Sequence, residues 1–261
     1  QGAYGPGAQV NRFFPSLGNH DFFTAGAVPY LDYFELPGNE RYYDVQQGDV
    51  HLFILNTCDE DEPDGVDADS LQAQWLEQAL AGSTATYKLV VMHNAPYSSA
   101  LHGSDPVFQW PFHAWGADAV LAGHDHVYER IARHDVPFFV NGLGGRDAIY
   151  PFQDPIGGSR YRFNGDFGAM IGDIFDTHTM FRFLSRSGVV LDSFPVVAND
   201  PMVPTELLVP GGATWIYLDN GTYPGATWVD LAYDDSFWGV GPAQLGYDEG
   251  DEATLVSYGP D

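Results

Sequence analysis

Three apolar runs in the first half of this chain each end in a histidine or an asparagine, and no other feature constrains the fold as tightly. The first is Phe13-Phe14-Pro15-Ser16-Leu17-Gly18-Asn19-His20-Asp21. The second is Leu89-Val90-Val91-Met92-His93-Asn94-Ala95-Pro96-Tyr97-Ser98, and the third runs from Ala119 through Gly123-His124-Asp125-His126 to Arg130. Open α/β sheets place their ligands beyond the carboxyl ends of the strands. Three such ends can bring Asn19, His93, His124 and His126 to one centre. Imidazole nitrogens with an amide oxygen suit zinc, iron or manganese and do not suit calcium. Gly18 and Gly123 let the backbone turn just ahead of the ligands. Two histidines two positions apart on a regular strand face opposite ways, so His124 and His126 converge only if the loop bends them. Each short motif is weak alone; the three in order make a metal site the specific reading. His51, His113, His134 and His178 stand alone and read as structural histidines.

Around these motifs the text alternates between strand and helix. Val50–Asn56, Lys88–Met92 and Ala119–Ala122 are predicted strands. Asp69–Leu80 is a predicted helix, with Asp69 as N-cap, Gln72 completing a capping box, and an apolar stripe of Leu71, Trp75, Leu76, Ala79 and Leu80. Asp105–Trp115 is predicted as a further helix. From Pro137 the pattern turns to strands alone: Phe138–Leu143, Ala169–Phe175, Thr179–Leu184 and Val189–Val197. Such a succession predicts an α/β sandwich with one mixed sheet and one largely antiparallel sheet. Gln1–Val10 carries no pattern. The expected division is a main domain over 1–198, a linker over 199–204, and a partial β-sandwich-like domain over 205–261, too short for most such domains.

Composition narrows the partners. Hydrophobic residues make up 44% of the 261 residues and aromatics 15%, enough for a packed core. Acidic residues number 36 against 10 basic ones, a net charge of -26, and Lys88 is the one lysine. A field of that sign disfavours nucleic acid and anionic membrane surfaces as partners. The charge fits a salt-adapted protein or an acidic secreted one equally well. Cys58 is the single cysteine, which excludes an internal disulfide and any cysteine-based metal cluster. No apolar run is long enough to span a bilayer. The first residues lack the pattern of a signal peptide, so an export signal would lie outside this chain. Asn220-Gly221-Thr222 matches a glycosylation sequon, a weak signal by itself.

Gly18-Asn19-His20-Asp21, Val90-Val91-Met92-His93 and Gly123-His124-Asp125-His126 resemble the third, fourth and fifth signature blocks of the calcineurin-like metallophosphoesterases. Within that superfamily Tyr97–Ser104 resembles the purple acid phosphatase branch, where a histidine nine residues after the fourth-block ligand faces the phosphate; His102 occupies that place. The resemblance extends over about Asn11 to Val197. It implies a metallophosphoesterase-type α/β sandwich of two central sheets flanked by helices, N-terminally incomplete, followed by the start of a β-sandwich-like segment. It further implies that Asn19, His93 and His124 bind one metal ion and His126 a second, with iron paired to zinc, manganese or iron. His20 and His102 would be the catalytic groups, hydrogen-bonding the phosphate and protonating the leaving alkoxide. Asp21 is expected as a buried orienter of His20, and Tyr128 and Arg130 as braces of the loop after the fifth block. The implied reaction is hydrolysis of small phosphate monoesters, outside the cell or at its surface.

The chain departs from the family at its start. Seventeen residues precede Gly18 and none is Asp or Glu, so the first two blocks, with the carboxylate that bridges the metals and the tyrosinate of the purple branch, are missing. Without an anionic bridge two dications about 3.5 Å apart repel strongly. The expectation is therefore a piece of a longer polypeptide. A rival expectation is a catalytically incomplete structural or binding module, such as a surface or filament subunit. A third is a phosphodiesterase or nucleotidase of the same superfamily. Trp215, Trp228 and Trp238 among glycines weakly resemble the start of a carbohydrate-binding-like jelly roll, which would allow glycan contact or self-assembly.

Overall fold

The strands that carry the histidine motifs are apolar at nearly every position, which is the pattern of strands buried on both faces. In the computed structural model, residues 13–58, 62–198, 214–218, 224–225, 233–242, 245–246 and 254–255 are described. The chain divides into two compact units, Gln1–Asp200 and Pro201–Asp261.

In the first unit, β1 (Tyr43–Gln47), β2 (Val50–Ile54), β3 (Tyr87–Val91), β4 (Ala119–Ala122), β5 (Tyr128–Arg133), β6 (Val136–Asn141) and β7 (Ser159–Phe163) form one sheet. Its order is β1-β2-β3-β4-β6-β5-β7. The central strands β2, β3, β4 and β6 are parallel, and β1, β5 and β7 join antiparallel at the two edges. A second sheet is the antiparallel meander β8 (Gly168–Ile174), β9 (Thr179–Ser185) and β10 (Val190–Val196). The mixed and antiparallel sheets expected from the sequence are both present.

Alternation of side chains sorts the core into two layers. Phe53, Val90, Val120, Phe138 and Val140 point to one face of the large sheet. They pack there against Ala73, Leu76 and Leu80 of α2 (Leu71–Gly82) and Phe112 of α3 (Phe112–Trp115). Tyr87, Leu89, Ala119, Tyr128 and Phe139 point to the other face and meet Phe181, Phe183 and Val196 of the second sheet. Arg130 and Tyr128 of β5 tie the sheets together. The Arg130 guanidinium donates from Nε (2.7 Å) and Nη2 (3.0 Å) to the Asp192 carboxylate on β10, and the Tyr128 hydroxyl donates to the same group at 3.0 Å. These two residues therefore join β5 to β10, rather than bracing the loop after the fifth motif.

Two helix expectations are corrected. The helix begins at Leu71, not Asp69, because Ser70 is extended and its hydroxyl accepts from the Ala73 amide at 3.1 Å. Gln72 is fully buried and bonds the Asn56 backbone instead of closing a capping box. The helix expected over Asp105–Trp115 is broken into a 3-10 turn at Pro106–Phe108 and the short α3, since Pro111 cannot continue the hydrogen-bond ladder. The sequence reading also missed α1 (Val28–Tyr33) and strands β1, β5 and β7. In the last three, polar and charged residues dilute the apolar signal.

The second unit contains β11 (Thr214–Tyr217) paired antiparallel with β12 (Gly239–Pro242), and β13 (Leu245–Gly246) paired parallel with β14 (Thr254–Leu255). The linker expected over 199–204, the sequon at Asn220, Trp228 and the opening segment 1–10 lie outside the described residues. Among the described residues no helix is long and apolar enough to cross a membrane.

Candidate metal centre

Parallel pairing puts the carboxyl ends of β3 and β4 side by side, and each strand delivers a histidine just beyond its end. His93 follows β3 by two residues and His124 follows β4 by two. The loops are stitched together by backbone bonds, Met92 N–H to Leu121 C=O at 2.9 Å and Gly123 N–H to His93 C=O at 2.9 Å. His124 adopts a left-handed backbone conformation, φ 64°, which bends the chain out of the strand and turns its ring toward His93. Gly18 lies against the His93 ring so closely that a Cβ there would press on it. That contact brings the next residue, Asn19, to the same place.

His93 Nε2 lies 2.9 Å from Asn19 Oδ1 and 3.0 Å from His124 Nδ1. Three of the four expected ligands thus meet through one nitrogen. The spacing itself is informative: donors bound to one cation at about 2.1 Å, at right or tetrahedral angles, lie about 3.0–3.4 Å from one another. Neutral imidazole is the form that binds a metal, and His93 is held neutral. Burial, followed by the neighbouring imidazoles His124, His20, His126 and His102, lowers its pKa to about 4. His124 is lowered for the same reasons, burial first and His102 next.

His126, the fourth expected ligand, stands apart from that hydrogen-bonded trio. Its Nδ1 donates to the Ala148 carbonyl at 2.7 Å, which leaves Nε2 free, and its ring stacks on Tyr150 with centroids 4.0 Å apart. The exposed His102 ring lies 4.1 Å from that of His124 and 5.4 Å from Tyr150. His20 is exposed and packs on Phe23 at 4.5 Å. Asp21 is corrected: it is exposed, and its carboxylate accepts from the Gly18 amide at 2.8 Å, orienting the turn before Asn19 rather than His20.

Among the described residues no carboxylate joins this cluster. Among the described residues no group of three or more His, Cys, Asp or Glu side chains is placed to hold a metal ion. Asp125 and Asp105, the acidic residues beside it in sequence or charge, hold loop atoms instead. The donor set fits one cation at Asn19, His93 and His124. A second cation bridged to the first is not provided for by the described residues. Sequence reasoning missed two residues that shape the site. Asp125 sits in plain view between His124 and His126, whereas Tyr150 lies in a loop with no motif of its own.

Residues 2–128 match the family model described as calcineurin-like phosphoesterase, a stretch that includes all four expected ligands. None of the curated proteins matches the chain. Among solved structures, GAP50, the anchor in the inner membrane complex of Plasmodium, is 14% identical with a TM-score of 0.46, covering 62% of this chain and 56% of its own. The structure of PhoD is 14% identical with a TM-score of 0.39, covering 70% of this chain and 52% of its own. The chain spans about half the length of these two structures.

Proposed function

We propose that this chain, whose residues 2–128 match the calcineurin-like phosphoesterase model, is part of a metal-dependent phosphatase of the purple acid phosphatase-like branch, acting on small phosphate monoesters. One observation supports this above the rest: Asn19 Oδ1 and His124 Nδ1 both approach His93 Nε2 at the separation of ligands sharing a cation. In this reading Asn19, His93 and His124 hold one metal ion and the free Nε2 of His126 contributes to a second, with the bridging carboxylate supplied by a longer polypeptide. Iron with zinc, manganese or iron is the proposed pair, and the proposed location is outside the cell or at its surface.

Such cations, when bound, supply a hydroxide nucleophile and neutralise the phosphoryl oxygens. The chain's own residues do the rest. His102 stands over His124 with its ring exposed, where it can donate a hydrogen bond to a phosphoryl oxygen and pass a proton to the departing alkoxide. His20 lies close enough for its charge to act on His93 and offers a second donor from the opposite loop. Burial and the surrounding imidazoles keep His93 deprotonated, so it competes for a metal and not for a proton.

The test is zinc or manganese binding by the chain, followed by release of phosphate from an aryl phosphate by the chain and by any longer form carrying an upstream Asp block. Metal bound at about micromolar affinity or tighter, equivalent to about 8 kcal/mol, supports the reading; absence of binding defeats it. A second reading, a binding or structural module that retains the fold, is favoured by the lack of a carboxylate in the cluster. Metal binding without hydrolysis by the longer form would select it.

A further inference from the structure

The segment that delivers His124 and His126 also carries two buried carboxylates, Asp125 and Glu129, exposed by 1% and 0%. Among the described residues neither forms an ion pair with a cationic side chain. A buried carboxylate is costly unless its lone pairs are filled by donors, so where these donors come from is what the residues are for. Asp125 Oδ2 accepts from the Ser98 hydroxyl at 2.6 Å, and its Oδ1 accepts from the backbone N–H of His102 at 2.9 Å. Glu129 Oε2 accepts from the Ser99 backbone N–H at 2.7 Å, and its Oε1 from the hydroxyls of Ser99 and Ser159, each at 2.6 Å. Two acidic residues on one segment therefore grip two consecutive serines on another. The Ser98 hydroxyl also accepts from the Ala100 amide at 3.1 Å, which stiffens the turn leading to His102.

His102 is exposed and among the described residues its ring makes no side-chain hydrogen bond, yet the ring sits 4.1 Å from that of His124. Its place is set through its backbone. We propose that Asp125, from inside the Gly-His-Asp-His turn, is a positioning residue that fixes His102 over the ligand histidines, with Glu129 anchoring the same loop one serine further on. The ligand-bearing turn and the substrate-facing histidine then move as one body, because a single carboxylate belongs to both. The substrate role of His102 rests on the proposed function; the positioning itself does not.

The experiment uses the isotope-labelled 261-residue chain, with and without zinc, as parent, Asp125→Asn and Ser98→Ala. An uncharged amide in place of the carboxylate weakens the bond from the His102 N–H, because its acceptor loses the negative charge. The His102 amide should exchange with solvent about three- to tenfold faster in Asp125→Asn, as expected when the acceptor of a hydrogen bond loses its charge. The His102 ring signals should move as the ring leaves His124, while those of His51 stay in place and zinc affinity stays within about threefold of the parent. Unchanged exchange and ring signals at His102 would overturn the proposal. So would a collapse of zinc affinity alongside them, which would make Asp125 part of the metal site itself. If Asp125→Asn fails to fold, Ser98→Ala keeps the carboxylate and removes one donor; a rise of about threefold or more in His102 exchange supports the proposal and no change overturns it. Failure of the parent to bind zinc would sink the proposed function, and the exchange result would still decide the positioning claim.

Discussion

His51 lies on β2 and His93 just beyond the end of its parallel neighbour β3, and their surroundings could hardly differ more. His51 is 9% exposed and both ring nitrogens have polar side-chain partners, the Ser83 hydroxyl at 2.8 Å and the Asp44 carboxylate at 2.7 Å. His93 lies beyond the strand end, faces an amide oxygen and a second imidazole, and among the described residues has no carboxylate as a hydrogen-bond partner. One ring is satisfied within the fold. The other has an amide oxygen and a second imidazole as its partners, donor atoms of the kind that bind a cation. A histidine's role is thus read from its partners' chemistry and not from burial alone.

The largest effect expected from this contrast is on metal affinity. His93→Ala should weaken zinc binding by more than about a hundredfold, beyond the 10–100-fold typical of residues that only support a ligand, whereas His51→Ala should leave it unchanged; calorimetric titration of both variants reads the difference. Next comes the clasp between the sheets. Asp192→Ala leaves the Arg130 guanidinium and the Tyr128 hydroxyl without their shared acceptor and should cost about 3 kcal/mol in urea unfolding, with no effect on metal affinity. His51→Ala should cost less, about 1–2 kcal/mol, since Asp44 is partly solvated and recovers water.

Acid supplies a further way to sharpen the comparison. The folded pKa of His93, about 4, lies below its ordinary 6.5. Between those values the metal-free folded chain binds fewer protons than the unfolded one, so the stability tied to His93 is full above about 6.5 and is lost as the pH falls toward 4. Thermal melts of the parent should therefore fall through that window, and His93→Ala should flatten the drop. An equal drop in both would show that His93 is not buried among imidazoles as described.

Much of this was legible in the sequence because the strand ends announced themselves. Apolar runs closing on Gly18-Asn19, His93 and Gly123-His124 placed three donors at one sheet edge, and the parallel register of β3 and β4 brought His93 and His124 together. What stayed hidden depended on partners far away in sequence. Tyr150 reaches His126 from a loop whose path no local pattern encodes. Asp125 received no role from the sequence because its donors, Ser98 and His102, lie more than 20 residues upstream. Strand β5 was obscured by Glu129 and Arg130, polar residues that are paid for by Ser99, Ser159 and Asp192. The Ser70 cap was misplaced by one residue because Asp69 and Ser70 are both good caps and only the backbone turn distinguishes them.

The central claim is that Asn19, His93 and His124, from three distant segments, surround one cation site. Titrating zinc into the isotope-labelled chain while following the imidazole nitrogens tests it most directly. The account predicts that the ring nitrogens of His93 and His124 shift with zinc, together with the Asn19 side-chain amide, while His51, His113, His134 and His178 do not. Shifts confined to the latter group, or none at saturating zinc, would contradict it.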